Sequence, residues 1–109
     1  MTVDHVIDPA DGLAFAAAIA VLGETRRRDG ACYWQVLTDA ADPRRRVEAF
    51  MQASWLEHLR QHERVTVEDR LIQERVRAFH RGPHEPLVSH LLATPLPPGA
   101  ALRAPSLLQ

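Results

Sequence analysis

The chain has 109 residues, 46% of them hydrophobic, a formal net charge of −1 and one cysteine. That is the size of a single domain, with no charge field to draw it to nucleic acid or an anionic membrane and no means of forming an intrachain disulfide. All 13 basic residues are arginine, and lysine and asparagine are absent; we read the missing lysine as codon bias, while the missing asparagine excludes any mechanism that needs its side chain.

Met-Thr-Val-Asp-His at the start has neither a basic n-region nor an apolar h-region, so no signal peptide is expected. The longest apolar run, Leu13 to Leu22, falls well short of the ~20 residues a membrane span needs. A soluble cytoplasmic protein is the simplest reading.

Val3 to Ile7 reads as a first strand. Asp8 is placed to cap a helix with Pro9 at its first position, and the alanine-rich stretch Leu13–Leu22 favours that helix strongly. Arg26, Arg27 and Arg28 suit its last turn, where cations complement the dipole, and Gly30 ends it. The arginine run therefore reads as a solvated helix end rather than an anion site.

Ala31 to Leu37 is the second strand, with Cys32, Trp34 and Val36 on one side and Tyr33, Gln35 and Leu37 on the other. Cys32 reads as a small buried hydrophobe. Asp42-Pro43 marks the turn. Arg46 to Ser54 is the third strand, with Val47, Ala49, Met51 and Ala53 on one face and Phe50 on the other. A short helix follows. Thr66 with Asp69 resembles a capping box and starts a helix running to about Phe79, with Leu71, Ile72, Val76 and Phe79 facing inward. Gly82-Pro83 breaks it, and Leu87 to Leu92 is a fourth strand. Residues 95–109 hold Pro95, Pro97, Pro98 and Pro105 and read as a tail or partner-docking arm outside the domain formed by residues 1–94.

The order strand, helix, strand, strand, helix, strand is the ferredoxin-like α+β pattern, a four-stranded antiparallel sheet with helices on one face. Both alternate sets of the second strand carry large apolar or aromatic residues. A sheet apolar on both faces needs a cover. The expectation is a homodimer in which two sheets pack face to face as a dimeric α+β barrel, with an interface position such as Val36.

The short helix after the third strand holds the candidate site. At ~100° per residue, Trp55, His58, Leu59 and His62 share one stripe. His58 and His62 allow three readings: structural histidines, a pocket-lining acid, base or donor, or two ligands of a metal. Zinc needs three or four ligands, a third could come only from elsewhere in the chain, for instance His90 or His5, and Glu57 precedes His58, so the His-Glu-x-x-His protease pattern is not met. No metal and no cofactor are expected. Trp34 and Tyr33 are candidates to line or orient a small aromatic ligand, with His90 as a polar partner.

Several stretches between residues 3 and 93 resemble a known family: Arg26-Arg27-Arg28-Asp29-Gly30, Trp34, Asp42-Pro43, Glu48 and Phe50, Ser54-Trp55 leading to Glu57-His58, and Arg64 to Arg70. The pattern resembles the antibiotic biosynthesis monooxygenase-like domains of the dimeric α+β barrel superfamily. More narrowly, it is similar to the soluble C-terminal domain of the major-facilitator proteins called transmembrane secretion effectors. The resemblance implies a homodimer with a cavity between sheet and helices in each subunit. It implies one of two functions. One is cofactor-independent oxygenation of a small aromatic, polyketide-like metabolite; that chemistry needs a base and an oxyanion donor, for which His58 or His62 and the Trp55 N–H are the candidates. The other is non-catalytic small-molecule binding or an accessory role. Haem-degrading relatives place an asparagine in the pocket, so haem degradation is not expected here.

Overall fold

A computed structural model of the chain describes residues 1–54, 56, 59, 60 and 66–99. The first strand, β1 (Thr2–Val6), lies inside the sheet and pairs antiparallel with two others. Its alternation decides the rest of the architecture. Val3 and His5 are buried on the helix side, continued by Ile7, while Thr2, Asp4 and Val6 point the other way.

Asp8 caps a short 3-10 turn (Pro9–Asp11), its Oδ1 accepting from the Ala10 N–H at 2.9 Å. The chain then enters α1 (Gly12–Arg28), whose buried stripe is Phe15, Ile19 and Leu22, the i, i+4, i+7 spacing of an amphipathic helix. Gly30 has φ 103°, the left-handed conformation that ends a helix cheaply only with glycine. Gly23 has a different role. A Cβ there would come within 2.6 Å of the Trp34 ring, so its absence lets α1 settle on that indole.

Next come β2 (Ala31–Thr38) and β3 (Arg45–Gln52), which form a hairpin. The Asp39 and Asp42 carboxylates brace its turn by accepting from the Ala41 and Arg44 N–H groups. The register shifts between Ala31 and Tyr33. Cys32 sits at that irregularity and is exposed, not buried as expected: the bulge breaks the alternation that would have aligned it with Trp34 and Val36.

In the second long helix, α2 (Val67–Arg77), the capping box is complete. Thr66 Oγ1 accepts from the Asp69 N–H at 3.0 Å, and Asp69 Oδ2 accepts from the Thr66 N–H at 3.4 Å. Val76 is buried, and Ile72 and Phe79 pack beside it. Leu71 is exposed, against expectation, because one residue before Ile72 it stands ~100° off that stripe. The fourth strand, β4 (Leu87–Ser89), has three residues, shorter than the expected Leu87–Leu92. Its pairing ends at Thr2↔Ser89, where β1 begins.

The sheet order is β2-β3-β1-β4, with every pairing antiparallel. Together with two helices on one face this is the ferredoxin-like α+β fold. The core between the layers is Ile7, Phe15, Ile19, Leu22 and Val76, with Trp34 and Val36 against it. Val36 is thus on the helix side, not at the free face. That free face carries Tyr33, Leu37, Met51 and Leu87, between 44% (Tyr33) and 64% (Leu87) exposed, flanking the half-buried Val47 and Ala49.

Candidate functional site

The site lies between the layers and grows from residues of six elements. Glu48 on β3 sits opposite Val3 in register, so its side chain enters the interior beside Phe50, Val3 and His5. It is fully buried. An isolated buried carboxylate is prohibitively costly, and three donors satisfy this one. Arg26 reaches it with Nε (3.2 Å) and Nη2 (3.3 Å), a two-pronged pairing. Trp34 Nε1 donates to the same carboxylate at 2.8 Å. The Arg26 guanidinium also lies 4.5 Å over the Phe50 ring. Gly23 is what lets the Trp34 ring lie close enough to α1 for this arrangement.

His5, on β1, is the second buried polar group, only 2% exposed. Its ring meets Phe15 edge-to-face at 5.5 Å and His80 at 6.4 Å. His80 is itself oriented: its Nδ1 accepts from the Val6 N–H, so its Nε2 donates to the His84 carbonyl. Neither ring nitrogen of His5 has a hydrogen-bond partner among the described residues. Burial pushes the His5 pKa down to about 4. The nearby Glu48 carboxylate works against that shift, while His80 and Arg77 add to it. The imidazole is therefore neutral at neutral pH, with one nitrogen a donor and the other an acceptor.

His5 and Glu48 face a cavity of about 180 Å³ between the sheet and both helices. Val3, Leu22, Val76 and Val88 give it apolar walls, and Arg77 and His90 also border it. A smaller pocket of about 60 Å³ adjoins it through Met1 and His90. A mostly apolar space with a few convergent polar groups is the usual form of a small-molecule site.

The residues singled out from sequence are distributed unevenly around this cavity. His90 borders it. Trp34 stands behind it, holding Glu48. Tyr33 is on the opposite, helix-free face, where its hydroxyl donates to Gln35 Oε1. Trp55, His58 and His62 lie outside the described residues. No group of three or more His, Cys, Asp or Glu side chains among the described residues is arranged to hold a metal.

Sequence reasoning did not single out His5, Glu48 and Arg26 as a cluster. The signal was present in β1: Val3, His5 and Ile7 alternate, so His5 had to share the buried face. The arginine run has the pattern of a solvated helix end, yet each of its arginines is engaged. Arg26 binds Glu48, Arg27 lies 5.6 Å over the Trp34 ring, and Arg28 pairs with Asp69 at 3.0 Å.

The model of a family described as transmembrane secretion effectors matches residues 1–96. No curated protein matches the sequence. Among solved structures, the fold is similar to that of a protein from Nitrosomonas europaea described as an antibiotic biosynthesis monooxygenase. The two are 20% identical with a TM-score of 0.63, over 84% of this chain and 86% of that one. At that identity the likeness speaks to the fold. Among the described residues no helix is long and apolar enough to cross a membrane.

Proposed function

Because the chain belongs to the transmembrane secretion effector family, we propose that it is a small-molecule-binding domain whose interlayer cavity takes a small aromatic metabolite. One observation carries this reading: a buried imidazole with neither nitrogen partnered among the described residues opens on a largely apolar cavity. Leaving such a group unsatisfied is costly unless something else offers it hydrogen bonds. A ligand does so. We further propose that two copies pack through their helix-free faces as a dimeric α+β barrel, covering Tyr33, Leu37, Met51 and Leu87. The domain then works in the cytoplasm, where the exposed Cys32 thiol stays reduced.

A second reading is favoured by the likeness to the Nitrosomonas protein. In it the domain is a cofactor-independent monooxygenase. A deprotonated, electron-rich aromatic would give an electron to dioxygen, with His58 or His62 as base and Trp55 N–H as oxyanion donor. His5 is poorly suited to that role, since a base with a pKa of about 4 holds a substrate proton weakly at neutral pH.

Oxygen uptake separates the two. With anthrone- or hydroquinone-like compounds and no added metal or flavin, the binding reading predicts saturable binding and oxygen consumption at the spontaneous rate. Uptake well above that rate, lost in His58→Ala or His62→Ala, would establish the enzyme instead.

A further inference from the structure

We propose that the cavity is built for an uncharged single-ring molecule bearing a hydroxyl group, with His5 as the residue that reads the hydroxyl. This rests on the binding reading above and narrows it.

Size comes first. The space is about 180 Å³. A dry apolar cavity of about 150 Å³ holds a benzene molecule. One six-membered ring with one or two small substituents therefore fills it, while three fused rings exceed it and must extend into the adjoining pocket of about 60 Å³. Val3, Leu22, Val76 and Val88 offer such a ring its apolar contacts.

Charge comes second. Glu48, the carboxylate that lines this cavity, is already matched by Arg26 through two hydrogen bonds. A ligand carboxylate would set a second anion near Glu48 and compete with it for Arg26, the other bordering cation, Arg77, being paired with Glu85 at 3.6 Å. A ligand cation would have to compete with Arg26 and Trp34 for the Glu48 oxygens. A neutral ligand disturbs neither pairing.

Hydrogen bonding comes third. His5 offers one donor and one acceptor, both unpartnered among the described residues. A hydroxyl both donates and accepts, so it suits either tautomer of the ring. Burial holds the His5 pKa at about 4, far below that of a phenol, ~10 as for tyrosine. The hydroxyl thus keeps its proton, and the bound pair stays neutral.

The test uses the whole chain and four probes: 4-methylphenol, para-xylene, 4-methylbenzoate and anthrone. The first two have almost the same shape and differ by a hydroxyl for a methyl. Calorimetric titration should show 4-methylphenol binding roughly tenfold more tightly than para-xylene, the worth of one well-made hydrogen bond. It should also bind more tightly than 4-methylbenzoate or anthrone. In His5→Leu the preference should collapse, with 4-methylphenol weakened about tenfold and para-xylene retained. Imidazole ¹⁵N shifts of His5 in the unmutated protein give a reading independent of that variant's folding. They should move on adding 4-methylphenol and stay nearly still with para-xylene. Equal affinity for phenol and xylene, or tighter binding of the benzoate or of anthrone, would overturn the proposal while leaving a small-molecule site in place. Failure of all four to bind, with no movement of the His5 signals, would overturn both.

Discussion

Acidification from pH 7.5 to 4.5 should cost this fold stability through His5 in particular. Unfolded, the imidazole titrates near 6.5; folded, burial holds it at about 4. Above pH 6.5 it is neutral in both states and adds no pH dependence. Between 6.5 and 4 the unfolded chain takes up a proton that the folded chain refuses, so stability falls as pH falls. Below 4 both states are protonated and the loss is complete. At 1.36 kcal/mol per pH unit the full loss is roughly 3 kcal/mol, and most of it, about 2.5 kcal/mol, has accrued by pH 4.5. That is a large share of a small domain's stability. Glu48, His80, Arg77 and Asp4 surround His5 electrostatically, and carboxylates elsewhere also titrate in this range, so the measurement is a difference. Urea unfolding of the wild type and of His5→Leu at both pH values isolates the His5 part. The wild type should lose about 2.5 kcal/mol more than the variant on going to pH 4.5. Parallel losses, or an NMR titration of His5 with a midpoint near 6.5, would refute the reasoning.

Further outcomes are expected elsewhere. Glu48→Gln should destabilise the fold by about 3 kcal/mol, because it leaves the mostly buried Arg26 without its counter-charge; urea unfolding at pH 7 checks it, and a loss under ~0.5 kcal/mol would mean the pair is dispensable. Gly23→Ala should destabilise by about 1 kcal/mol or more despite the better helix propensity of alanine, since the added methyl meets the Trp34 ring; a rise in melting temperature would contradict the packing described. Met51→Glu, on the helix-free face, should convert a dimer to a folded monomer in light scattering, and a wild type already monomeric at micromolar concentration would remove the barrel proposal. Deleting residues 95–109 should lower the melting temperature by only a few degrees, as for a loss of ~1 kcal/mol or less; a larger fall would show that Leu96, Leu102 or Leu107 docks on the domain.

Much of the fold is legible from local chemistry. Asp8-Pro9, Gly30, Asp42-Pro43 and the Thr66/Asp69 pair act through bonds within a few residues of each other, so sequence alone places them. The apolar periods of α1 and of β1 are equally direct. What sequence missed depends on contacts distant along the chain. Cys32 is exposed because β2 shifts register against β3, a pairing that strand alternation does not contain. The length of β4 is set by where β1 begins. Arg26 turns inward because Glu48, brought from β3, waits beneath α1. The cavity needs five elements at once, so His5 could be placed on the buried face from its neighbours, but its missing partners could not. Helical spacing makes the His58/His62 stripe conspicuous, whereas a single buried histidine in a strand leaves only a parity signal.

The location of a bound ring tests the central claim most directly. With ¹³C-labelled protein and 4-methylphenol, intermolecular nuclear Overhauser contacts should connect the ligand to methyl groups of Leu22, Val76 and Val88 and to the His5 ring. Contacts confined to Tyr33, Leu37 and Met51 on the opposite face of the sheet, with none to His5, would contradict it.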